Sequence, residues 1–176
     1  MSHIDRHRRS STPFVEGLES RRLLSAGRAS VVSAEFSIPS GLIPAIKGTI
    51  YATITSISQL SPTTELVDYT AQGKATIIGD GKGYGQTEVV RKLLKNGSTN
   101  DTYKNGSATI LGNTDTVAIH YSGTGHTNAA GNWTATWKGT AKSVAGEHAG
   151  LSGSFSAKLS GSNQSGTFTV NLTIKV

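Results

Sequence analysis

Apolar and polar residues alternate along most of the chain after about position 31. The carboxy-terminal end is the clearest case. Phe168, Val170, Leu172, Ile174 and Val176 fall on one side, and Thr167, Thr169, Asn171, Thr173 and Lys175 on the other. Successive side chains of a β-strand point to opposite faces, so strict period two predicts a strand with one apolar face. Trp133, Ala135 and Trp137 alternate in the same way with Asn132, Thr134, Thr136 and Lys138. Leu151, Gly153, Phe155, Ala157 and Leu159 alternate with Ser152, Ser154, Ser156 and Lys158. Val117, Ile119 and Tyr121 do so with Thr116, Ala118 and His120, and Ile50, Ala52 and Ile54 with Tyr51, Thr53 and Thr55. Further strands are predicted at Val31–Ile38, Leu66–Ala71, Ala75–Ile78, Thr87–Arg91 and Ala108–Leu111.

Gly and Asn punctuate these runs at hairpin spacing. Asn96-Gly97, Asn105-Gly106, Gly131-Asn132 and Gly161-Ser162 are dipeptides that accept positive φ and predict turns. Gly73–Asp80 (Gly-Lys-Ala-Thr-Ile-Ile-Gly-Asp) echoes Gly106–Asn113 (Gly-Ser-Ala-Thr-Ile-Leu-Gly-Asn). The echo predicts equivalent strands of one sheet. Two copies do not make a solenoid.

Eight to ten one-faced strands in about 145 residues must bury their apolar faces together. An antiparallel, mostly up-and-down β-barrel of about eight strands does this and leaves no exposed edge; a two-sheet β-sandwich is the alternative. Sequential hairpins favour the up-and-down connection. The fold class is therefore all-β, with domains expected at 1–30 (a leader, short-helical or disordered) and 31–176 (the barrel).

Composition narrows the chemistry. Cysteine is absent from the 176 residues, which removes disulfides, thiolate metal sites and cysteine nucleophiles. Gly contributes 21 residues and Ser plus Thr 44, a composition suited to short strands and tight turns. Half of the net charge of +6 lies in residues 1 to 30, so the body is only mildly basic. The nearest cationic cluster, Arg91, Lys92 and Lys95, reads as a solvated strand end, and no nucleic-acid partner is expected. No apolar run approaches the roughly 18 residues of a membrane helix. Eleven aromatic residues are too few for the two girdles of a membrane barrel.

Residues 14 to 26 read Phe-Val-Glu-Gly-Leu-Glu-Ser-Arg-Arg-Leu-Leu-Ser-Ala. This segment resembles the amino-terminal sorting motif of many planctomycete surface proteins, whose core is Leu-Glu-Pro-Arg-x-Leu-Leu followed by Ser-Ala. Leu18, Glu19, Arg21, Leu23, Leu24, Ser25 and Ala26 match, and Ser20 stands where that family has proline. The resemblance implies recognition by export machinery and an extracellular or cell-surface location.

A second resemblance covers roughly residues 73 to 176. Gly146-Glu-His-Ala-Gly-Leu-Ser-Gly-Ser-Phe155 is similar to the Gly-x-x-Ala-Gly-x-x-Gly signature of small bacterial β-barrels of the allene-oxide-cyclase and dirigent-like type. Asn113-Thr-Asp-Thr-Val and Tyr121-Ser-Gly-Thr-Gly125 fit the same style, and His148 stands where those proteins have an aromatic residue. The resemblance implies an eight-stranded barrel and brings no active-site residue with it.

Candidate chemistry is sparse. His3 and His7 lie in the leader, His120 on a polar face, His126 in a Gly-rich turn, and His148 beside Glu147 in what reads as a solvated turn. Their spacing does not suggest the three or four converging ligands of zinc, so no metal or other cofactor is expected. No Ser occupies Gly-x-Ser-x-Gly. Glu65, Asp68, Glu88 and Asp115 are the acids available for paired-carboxylate chemistry, and most of them read as strand-end solubilisers. Gly79–Gly85 lacks phosphate-loop spacing, and its alternating glycines read as a bend or close backbone approach. Tyr121, Trp133, Trp137 and Phe155 lie on apolar faces of neighbouring strands. They either fill the barrel or line a site for one small hydrophobic ligand. With almost no titratable residue on the inward faces, the expected role is a non-enzymatic structural or interaction module. A ligand-binding barrel is the alternative, and cyclase- or isomerase-like chemistry a more distant one.

Overall fold

In a computed structural model, residues 44–176 are described, and they form a closed antiparallel barrel. Its strands are β1 (Ile46–Ser61), β2 (Thr64–Ala75), β3 (Gly79–Leu93), β4 (Thr99–Gly112), β5 (Asp115–Thr127), β6 (Asn132–Gly146), β7 (Ser152–Ser162) and β8 (Thr167–Lys175). Each pairs with the next, and β1 pairs with β8 from Ile46↔Ile174 to Thr53↔Thr167, which closes the cylinder and excludes the sandwich. The sorting residues Leu18, Glu19, Arg21, Leu23 and Leu24 and the strand expected at Val31–Ile38 lie outside the described residues.

The alternation is the cause of this architecture. In β6 and β8 buried and less buried positions alternate with the period read from the sequence. Ile50, Ala52, Val117, Ile119, Ala135, Ala157, Leu159, Val170, Leu172 and Ile174 are buried in one continuous core. Removing this apolar surface from water drives closure, at roughly 25 cal/mol per Å² buried.

Four local expectations are corrected. Ala75–Ile78 is not a strand: the chain turns at Thr76–Ile78, with Ile77 at φ 74. Lys47 N–H donates to Thr76 Oγ1 at 2.8 Å, and Ile78, 2% exposed, plugs that end of the barrel. An apolar pair that caps a cylinder looks like strand in one dimension. The echo therefore fails as a pair of equivalent strands, since its first copy turns where its second stays extended through Gly112. Asn105-Gly106 is not a hairpin but a bulge inside β4, with Asn105 at φ 50 and the register shifting between Tyr103 and Gly106. Gly161 and Ser162 still belong to β7, and the turn follows at Asn163–Gly166, where Gly166 has φ 62. Asn96-Gly97 and Gly131 are turns as expected, both glycines having positive φ.

The hairpins β1–β2, β3–β4, β5–β6 and β7–β8 gather at one end, the upper mouth. The turns β2–β3, β4–β5 and β6–β7 close the lower end. Beyond Ile54, β1 has left β8, and among the described residues Thr55–Ser61 pairs with β2 alone, as an arm with one unpaired edge. Ile57 and Leu60 on this arm are exposed.

Candidate functional site

The interior is organised around aromatic rings. Tyr121, Trp133, Trp137 and Phe155, the four residues expected to face inward, are all buried. Trp137 is the hub. Tyr121 stacks on it at 4.2 Å, Tyr103 meets it edge-on at 5.6 Å, and Tyr69 and Phe168 flank it at 6.2 and 6.3 Å. Trp133 joins through Phe168 at 5.3 Å, and Phe155 through Tyr121 at 6.2 Å. Such offset and edge contacts each add about 0.5–1.5 kcal/mol beyond area burial.

Glycine in the strands makes room for the rings. A Cβ at Gly85 would collide with Tyr69, one at Gly106 with Tyr121, and one at Gly123 would lie 2.8 Å from Trp137 Cδ1. The glycines of β3 thus mark close approach, as the sequence indicates. Tyr69, Tyr103 and Phe168 complete the cluster and were not among the expected site residues. Tyr103 is masked by polar neighbours (Thr-Asn-Asp-Thr-Tyr-Lys-Asn).

The buried phenols stay protonated. Burial pushes Tyr69 up to about 12, although its hydrogen bond with Tyr121, 2.9 Å between the oxygens, pulls the other way. Burial also raises Tyr121 and Tyr103, the latter further under the Asp101 charge. None is a phenolate nucleophile near neutrality. The space left beside the rings is small, about 40 Å³ next to Tyr69, Tyr121 and Trp137. A drug-sized ligand needs about 300 Å³ or more.

Polar groups collect at the two barrel ends, which corrects the expectation of inward faces nearly free of titratable residues. At the lower end Asp115 is buried and His148 half-buried, so neither is a solvated turn or strand-end group. Asp115 Oδ1 accepts the His148 backbone N–H at 2.8 Å and the Ser143 hydroxyl at 3.1 Å. Its Oδ2 accepts from Thr114 at 2.9 Å and contacts His148 Nδ1 at 2.8 Å. An ionised carboxylate only accepts, so Nδ1 carries the proton of this contact. Desolvation pushes the Asp115 carboxyl upward. The hydrogen bonds from the His148 ring and backbone, Thr114 and Ser143 outweigh it and bring the group down to about 2. The arrangement pins the β6–β7 turn to the start of β5. Ser143 touches the carboxylate and not the imidazole in these contacts, so the three residues do not form a nucleophilic relay.

At the upper mouth Arg91 turns inward, unlike the solvated cation expected. Its Nε donates to Glu65 Oε2 at 3.1 Å, and its Nη2 makes an ion pair with the same oxygen at 2.9 Å. Asp101, 3% exposed, accepts from Thr99 at 2.8 Å and Thr127 at 2.6 Å. The other acids are surface partners: Asp68 accepts from Gln86 and Ser56, and Glu88 from Asn105. His120 and His126 are exposed, and His126 contacts Asn100. Among the described residues, no group of three or more His, Asp or Glu side chains is placed to hold a metal ion.

Fold and site together define a small closed barrel with an aromatic-filled interior and a polar cluster at each end. The chain matches no protein-family model, no curated protein and no solved structure.

Proposed function

We propose that the protein is an exported, non-enzymatic β-barrel serving as a structural or interaction module at the cell surface or in the envelope. One observation carries the non-enzymatic part: the interior is occupied by interlocked rings, with protonated phenols and little free volume. The export part rests on the Leu18–Ala26 resemblance. The outward residues of β6, β7 and β8 are mainly Thr, Ser, Asn and Lys. Lipid-facing strands need the opposite arrangement, so the module is read as water-facing and not embedded in a bilayer.

Two measurements test this reading. Indole emission of the purified protein is expected to be blue-shifted and unchanged by apolar dyes. Stoichiometric dye uptake with quenching would instead favour a barrel that binds a hydrophobic ligand. Replacing both Leu23 and Leu24 with Asp in the full chain is expected to abolish export in a planctomycete host, and undiminished export would refute the sorting role.

A further inference from the structure

Among the described residues, the buried Asp101 carboxylate at the upper mouth has no counter-ion. Arg91 stands directly across from Asp101 in the β3–β4 register, yet its guanidinium is engaged by Glu65. Among the described residues no cation lies within ion-pair distance of Asp101, whose partners are two threonine hydroxyls. A carboxylate this buried ordinarily has a cation beside it.

Aromatic surfaces surround the same space. Tyr103 follows Asp101 by two residues on the inward face of β4, and Trp133 lies across from Thr127, the residue that donates to Asp101. Trp137 lines this space too, and its buried indole Nε1 has no hydrogen-bond partner among the described residues. The free volume is about 40 Å³. A water takes about 10–15 Å³ of such volume, so a one-carbon head group and one water fit together.

From these observations we infer that the upper mouth is a binding site for a primary alkylammonium group, its nitrogen on Asp101 and its carbon against Tyr103 and Trp133. The ammonium supplies the missing positive charge. Its neighbouring methylene lies against ring faces that attract cations. A water held beside it accepts from Trp137 Nε1, accepts from the ammonium, and donates to Asp101. Arg91 offers no net repulsion, because Glu65 already balances it. The group can come from a free small amine or from a lysine side chain, and both present the same head. The inference concerns the mouth alone and does not depend on export.

The test uses the full chain labelled with nitrogen-15. Two tryptophans give two indole N–H resonances, and Trp133→Phe assigns them. Methylammonium chloride is expected to shift the Trp137 resonance saturably, whereas sodium chloride at equal ionic strength and methanol, a neutral molecule of similar size, leave it in place. Asp101→Asn is expected to weaken methylammonium at least tenfold. Nα-acetyl-lysine amide binding more tightly than methylammonium identifies a protein side chain as the source, and equal or weaker binding identifies a free amine. A shift that never saturates, one that methanol reproduces, or one unchanged in Asp101→Asn overturns the site. The methanol comparison decides the matter without any variant, should Asp101→Asn fail to fold.

Discussion

Trp137→Ala is expected to lower the free energy of unfolding by about 3–5 kcal/mol, the usual cost of deleting a buried aromatic side chain. Trp137 is 3% exposed and touches rings from β2, β4, β5 and β8, so its loss opens a cavity with walls on most sides of the cylinder. Those walls cannot collapse inward, because each ring is anchored to a strand held in a closed ladder. Trp137→Phe keeps part of the stack on Tyr121 and should cost distinctly less. Urea unfolding of the three proteins provides the comparison. A loss below about 1 kcal/mol for the alanine variant would mean that the rings are not mutually supporting.

The second large effect belongs to Asp115. Its replacement by Ala leaves the His148 backbone N–H without its acceptor, leaves the Ser143 hydroxyl only the longer contact with the Ala145 carbonyl, and frees the β6–β7 turn, at an expected cost of about 2–3 kcal/mol near neutral pH. The same carboxylate makes stability depend on acid. Its folded value of about 2 lies below the ordinary 3.8, so ionisation favours the folded state. That contribution is complete above pH 3.8 and disappears as the pH falls through about 2. Its size is about 1–2 kcal/mol, allowing for water at the barrel end. Urea midpoints measured across this range should therefore fall more steeply for the native protein than for Asp115→Ala. If the gap between the two is as wide at pH 2 as at pH 7, the carboxylate is not the pinning group.

Much of the barrel was legible in the chain, because period-two alternation is imposed by the pleat itself. Trp133, Trp137, Tyr121 and Phe155 could be assigned inward from their neighbours alone. Strand ends were less legible. Ile77 and Ile78 plug an end and so continue the apolar pattern past the last ladder bond, and Asn105-Gly106 has hairpin chemistry used for a bulge that seats Tyr121. The polar ends were missed for a different reason. Asp115 precedes Val117 by two residues, Ser143 follows Ala141 by two, and Asp101 precedes Tyr103 by two. Asp115 and Ser143 keep the inward parity of Val117 and Ala141, so carrying the alternation one step past those apolar residues names them, whereas Asp101 lies beyond the Asn105-Gly106 bulge, across which the parity of Ala108–Leu111 is lost. Parity, and not polarity, decides which way these side chains point. Which of these groups meet across the cylinder depends on strand stagger, which no single strand encodes.

The seam between the first and last strands has a consequence for synthesis. Ile46 meets Ile174 across it, so no closed cylinder exists until the nine-residue β8 has left the ribosome. Bringing such distant segments together is a slow, late event in folding. Until β8 is made, β1 and β7 each keep one ladder edge unpaired, and the cylinder stays open.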